Sequence, residues 1–193
     1  MKSTELYKKE TNLEAYNNSI PTNEYVKWLE RKIEPSILTW IKNMFKHAKK
    51  KEWFAVYFVI DIHGTISKPD YRKTSKEIIY YPYAKETLQL LSDREDIVLI
   101  LFTSSYPEEI ERYNEIFKKD NIIFKYINEN PEISDTKGSF GYYRNKLYFN
   151  ALLDDKSGFS PKTDWKYLYD YFRTTKYRPN KEWLMKYKEE YHK

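Results

Sequence analysis

Residues 53–60 read Trp53-Phe54-Ala55-Val56-Tyr57-Phe58-Val59-Ile60, an almost unbroken apolar run that stops at Asp61. A strand with one wet face alternates apolar and polar residues. This run does not, and its aromatic and β-branched content suits a strand buried on both faces. Such strands belong to sheets covered by crossover connections, so the run predicts an α/β protein.

Further along the chain the period alternates between strand and helix. Ala84, Leu88 and Leu91, after Pro82, share a helical face, and Ile97-Val98-Leu99-Ile100-Leu101-Phe102 reads as a second buried strand. Pro107 to Lys119 reads as a helix with Pro at its opening turn and Ile110, Tyr113, Ile116 and Phe117 inward. Ile122-Ile123-Phe124 begins a third strand, Leu147 to Leu153 forms a fourth, and helical patterns surround Trp165–Phe172 and Glu182–Tyr191. Towards the N-terminus, residues 1–20 read as a loose polar lead. Thr22 caps a helix carrying Val26, Leu29 and Ile33 up to Pro35, and Ile37, Leu38, Ile41 and Phe45 mark another that ends in the basic run 46–51. The expected architecture is a Rossmann-like, mostly parallel sheet with helices on both faces, plus N-terminal helices. Residues 1–50 form a helical extension packed on the core, and 51–193 form the α/β domain with its C-terminal helices.

The 193 residues suit one domain with a sizeable core. The chain has no Cys, which removes disulfides, thiolate metal sites and Cys nucleophiles. The polar N-terminus does not resemble a signal peptide and no apolar run is long enough for a bilayer, so a cytoplasmic protein without a membrane partner is expected. A net charge of +5 favours anionic ligands weakly. Residues 162–193 hold nine Lys or Arg against five Asp or Glu, a solvated helix surface or a face for nucleic acid.

In parallel α/β sheets ligands bind beyond the C-terminal ends of the strands. There the sequence places Asp61-Ile62-His63-Gly64-Thr65, then Thr103-Ser104-Ser105, then Asp154-Asp155, with Lys146 just before the fourth strand. Asp61, Asp154 and Asp155 at one edge would repel unless a hard cation lay between them, and oxygen-rich sites of that kind suit Mg2+. Asp61 could attack phosphorus to form an acyl phosphate, with the cation and a lysine neutralising the transferring group. Thr or Ser hydroxyls and backbone N–H groups would hold the remaining oxygens, and Gly64 would let the backbone turn where a Cβ would crowd the phosphate.

These residues resemble the haloacid dehalogenase superfamily over roughly residues 53–160. Its first motif, Asp-x-Asp-Gly-Thr after a hydrophobic strand, is matched by Asp61-Ile62-His63-Gly64-Thr65; its second by Leu101-Phe102-Thr103; its fourth by Leu152-Leu153-Asp154-Asp155. The resemblance implies Asp61 as nucleophile and metal ligand, and His63 as metal ligand through its carbonyl. It makes Asp155 the acidic ligand, with Asp154 on metal-bound water or orienting its neighbour. Thr103 would hold a phosphate oxygen and Lys146 would pair with the phosphate and Asp61, with Lys137 as the alternative lysine. Gly64, Thr65 and Ser104 would contact substrate. The family's phosphatases carry a second Asp where this chain has His63. Histidine can act as acid and then base near neutral pH, although beside carboxylates it is the better acid.

About 16 residues separate Thr65 from Pro82 and about 20 separate the third strand from Lys146, too few for a large lid. The expected activity is magnesium-dependent phosphoester hydrolysis on a nucleotide or other small phosphoester. The alternatives are a nucleic-acid-end phosphatase, or a binding or regulatory protein that lost turnover through His63. Tyr80, Tyr81, Tyr83, Tyr142 and Tyr143 lie in or beside the loops, as packing residues or as platforms for a base.

Overall fold

The computed structural model describes residues 3–17, 20–26, 35–69, 77–134, 143 and 146–177. Leu29, Ile33, Lys137, Tyr142 and the pattern around Glu182–Tyr191 lie outside them. The elements are α1 (Ser3–Thr11), β1 (Tyr16–Asn17), β2 (Ile20–Pro21), α2 (Ser36–Lys50) and β3 (Val56–Asp61), then α3 (Ala84–Ser92), β4 (Ile97–Phe102) and α4 (Pro107–Lys119). β5 (Tyr126–Ile127), the short α5 (Pro131–Ser134), β6 (Ala151–Leu153), a 3-10 turn (Asp155–Ser157) and α6 (Asp164–Phe172) complete the order.

β3 to β6 form one parallel sheet in the order β5-β4-β3-β6, an α/β fold flanked by helices, as expected. The chain steps from β3 to β4 to β5 in one direction and then returns past β3 to β6. Right-handed crossovers require those opposite steps to cover opposite faces. Accordingly Val56, Phe58 and Ile60 share the larger core with α2, α3, α4 and α6, including Phe45, Leu88, Phe117 and Trp165. Tyr57 and Val59 point into a second core with Ile133 of α5, Tyr143, Leu147 and Tyr148 from the return connection. Among the described residues the second face is therefore covered by one short helix and by Tyr143, Leu147 and Tyr148.

The central elements follow the apolar pattern closely. α2 buries Ile41, Met44, Phe45 and Ala48, one stripe at helical spacing. α4 opens at Pro107, and Glu109 reaches back to accept a hydrogen bond from the Tyr106 N–H (3.2 Å). Each fully buried Ile, Leu or Phe contributes roughly 1.5–3 kcal/mol from area removed from water, which is why β3 tolerates almost no polar residue.

Departures sit at the edges. The first strand begins at Val56 rather than Trp53 and extends to Asp61. The third forms at Tyr126–Ile127, not from Ile122, because Ile122 N–H still bonds the Phe117 carbonyl (2.8 Å) at the helix end. The fourth pairs only over Ala151–Leu153. Residues 3–17, expected as part of a loose lead, are instead ordered: α1 and the β1–β2 pair surround a small core of Tyr7, Ala15 and Tyr25, with Ser3 Oγ 2.8 Å from Tyr25 Oη. Among the described residues no helix is long and apolar enough to cross a membrane.

Candidate active site

Because the chain reverses its direction of travel at β3, the crevice of the sheet lies between β3 and β6. The register sets Ile60 beside Leu153 and Asp61 beside Phe102. Asp61, Thr103 and Asp154 therefore emerge together at one edge, on strands about 4.8 Å apart. Asp61, Asp154 and Asp155 each offer a carboxylate oxygen within 4.8 Å of the others.

These three carboxylates are held from several directions. Asp154 Oδ1 accepts from the Lys156 N–H (2.7 Å), which opens the 3-10 turn. Asp155 N–H donates to Thr65 Oγ1 (2.9 Å), and the Thr65 carbonyl accepts from Trp165 Nε1 (2.8 Å). Gly64 sits at φ +87°, and a Cβ there would stand 2.8 Å from Asp155 Oδ2. Glycine at 64 thus satisfies both a left-handed backbone and a close approach to the acidic pair.

Asp61 Oδ2 is buried and has no hydrogen-bond partner among the described residues. Burial pushes the Asp61 carboxyl above its ordinary value, against a hydrogen bond from the Ile62 backbone; the Asp154 charge adds to the rise, while Lys156 and His63 oppose it. Buried carboxylate oxygens in folded proteins are ordinarily satisfied. An orphaned oxygen among three like charges is the donor set that could hold a hard divalent cation.

The other expected residues divide. Thr103 is buried at the end of β4, and the Asn128 side chain clamps its backbone, accepting from Thr103 N–H (2.8 Å) and donating to its carbonyl (2.7 Å). Thr103 Oγ1 lies 3.1 Å from Ser105 Oγ, and Ser104 is exposed beside it. His63 Nε2 lies 2.9 Å from Tyr113 Oη of α4, whose ring also meets the imidazole edge-on. Thr65, expected to contact substrate, is instead fully buried, and its hydroxyl positions Asp155. Lys146 is exposed and forms no ion pair with the carboxylates among the described residues. Among the described residues Lys156 acts on Asp61 together with His63, and its Nζ lies 3.8 Å from Asp155 Oδ1.

Asn128, Tyr113, Lys156 and Trp165 are the residues that sequence reasoning missed in this region. Tyr113 and Trp165 were visible only as inward-facing helix residues, and Lys156 only as the residue following Asp154-Asp155. Of the loop tyrosines, Tyr80 donates to Asp120 Oδ2 (2.7 Å) and packs with Tyr81 on the main core, while Tyr143 packs in the second. Tyr83 is half-exposed against Tyr169.

No family model and no curated protein matches the chain. Among solved structures, a conserved protein from Bacteroides thetaiotaomicron is similar at 27% sequence identity and a TM-score of 0.47, covering 64% of this chain and 93% of that one.

Proposed function

We propose that the chain is a magnesium-dependent phosphohydrolase that forms a phospho-aspartate on Asp61, acting on a nucleotide or another small phosphoester. The observation that carries this reading is the Asp61 carboxylate, placed at the switch point of the sheet with one oxygen buried and unpartnered among two further carboxylates. Carboxylates placed for structure alone are paired; an unpaired oxygen beside two further carboxylates is one that a bound cation would complete, leaving the other Asp61 oxygen to attack.

In this reading Asp61 attacks phosphorus, the P–O bond to the leaving group breaks, and His63 delivers a proton to the departing oxygen. His63 then takes a proton from water, which attacks the acyl phosphate, releasing inorganic phosphate and restoring the carboxylate. Tyr113 holds the imidazole in place through both steps. Thr103, fixed by Asn128, receives a phosphoryl oxygen, and Lys156 takes the charge-balancing role expected of Lys146. Asp61, Asp154, Asp155 and the His63 carbonyl would hold Mg2+, which when bound neutralises the carboxylates and polarises the phosphoryl oxygens.

The test is phosphate release from 4-nitrophenyl phosphate with and without Mg2+, beside Asp61→Asn. The reading predicts magnesium-dependent turnover that falls at least about 10³-fold in the variant, as for removal of a covalent nucleophile. Turnover unchanged by Asp61→Asn would overturn it.

A further inference from the structure

A groove of about 440 Å³ lies at the opposite end of the sheet from Asp61. Lys42, Lys46 and Lys49 enter it from α2, Lys176 from the segment after α6, and Arg94 from the turn before β4. Among the described residues no carboxylate lines it. Lys42, Lys46 and Lys49 are spaced i, i+4, i+7, one face of a helix, and span about 10 Å of its length at 1.5 Å per residue.

Like charges at that spacing cost a few tenths of a kcal/mol per pair. Lys46, Lys49 and Lys176 make no ion pair among the described residues that would offset it. The favourable dipole of a helix C-terminus accounts for Lys49 but not for Lys42 or Lys176, which lie outside its last turn. Arg94 differs from the lysines: it is buried, and its Nη2 and Nε bond the Asp96 carboxylate at 2.6 and 2.8 Å. The lysines supply the exposed charge; Asp96, held by Arg94, and then Glu52 are the acidic neighbours felt at Tyr177.

The groove also has apolar aromatic walls, Phe45, Tyr171 and Tyr177. Tyr177 is fixed there because its hydroxyl donates to the Trp53 carbonyl (2.7 Å). Phe45 is buried on the same helix as the lysines, so the rings partly open to the groove are Tyr171 and Tyr177. Exposed lysines beside partly open rings match the two repeating parts of a single-stranded nucleic acid, its phosphates and its bases. A concave groove suits a chain better than a flat anionic surface, and a basic row about 10 Å long exceeds what one phosphate needs. We propose that this groove binds the backbone of single-stranded nucleic acid through Lys42, Lys46, Lys49 and Lys176. The length of β3 from Val56 to Asp61, about 17 Å, lies between it and Asp61, so it anchors a strand away from the acidic cluster. The proposal does not depend on any chemistry at Asp61.

The experiment is fluorescence anisotropy of a labelled 20-nucleotide oligo(dT) with the full chain, from 50 to 200 mM salt. Four phosphate contacts predict a slope of log K against log salt near −3, at about 0.7 per contact. Lys46→Gln/Lys49→Gln should weaken binding about tenfold at 50 mM salt and reduce that slope by about 1.4. Lys118→Gln/Lys119→Gln, the same charge change on α4, should do neither. Equal losses in both variants would reduce the effect to net charge and overturn the proposal, as would no binding at 50 mM salt. Competition by thymidine monophosphate at equal phosphate concentration would make the groove a mononucleotide site. Binding confined to phosphatidylserine vesicles would make it a lipid contact. Either result also overturns the proposal.

Discussion

The sheet carries a carboxylate at each end, Asp96 buried and Asp61 half-buried, and the two are treated in opposite ways. Asp96, before β4, is 3% exposed and fully engaged: the Arg94 guanidinium binds both oxygens, and Tyr177 N–H donates to Oδ2 (2.9 Å). Asp61, at the far end of β3, faces two more carboxylates and leaves Oδ2 without a partner. Removing charge from water is tolerated in a fold when the charge is paired and hydrogen-bonded. Asp96 meets that condition and serves as a structural anchor; Asp61 does not. The contrast between them, more than the acidic residues alone, marks the edge at which the proposed cation would complete the site.

The most damaging way to probe the comparison for stability is at the satisfied end. Asp96→Asn leaves a buried guanidinium without its counter-charge and should cost about 3 kcal/mol. For a chain of this size that is a fall in Tm of about 6–12 °C. Calorimetry checks it, and the thermal shift produced by Mg2+ should persist. Gly64→Ala tests the unsatisfied end. Its positive φ and the collision with Asp155 should cost about 1–2 kcal/mol and shrink the Mg2+-induced shift. An unchanged Mg2+ response would mean that Asp155 is not held where cation binding requires it.

The smallest effect comes from pH. The Asp61 carboxyl titrates above its unfolded value, so the folded state binds the proton more tightly. That contribution is fully present below the unfolded pKa and is lost as pH rises through the raised, folded one. Without divalent metal, Asp61→Asn should match the original protein near pH 3.5 and become the more stable of the two toward pH 7; Mg2+ should reverse that order. Melting curves across the range, with and without metal, read the sign directly.

Much of this contrast was legible in the sequence where burial alone determines structure. β4 and α4 run from Ile97 to Phe102 and from Pro107 to Lys119 as their apolar patterns predict, because two-sided burial and a helix-opening proline leave few alternatives. Asp61, Thr103 and Asp154-Asp155 were legible for the same reason, since each follows such a strand. Legibility failed where structure depends on distant partners. α1 buries only Tyr7, against Ala15 and Tyr25, so its sequence shows no extended apolar face. Asn128 follows a two-residue strand, and nothing local shows that its amide will clamp Thr103. Thr65 looked like a substrate contact because its motif says nothing about Trp165, one hundred residues later, which holds its carbonyl.

The measurement that tests the central claim most directly is acid quenching of the protein within its first turnover of 4-nitrophenyl phosphate and Mg2+, followed by peptide mapping. The account predicts one phosphoryl group, carried on the peptide containing Asp61 and absent from Asp61→Asn, with His63→Asp changing how fast it is lost. Steady turnover with the phosphoryl group on another residue, or with none on the protein at any quench time, would contradict it.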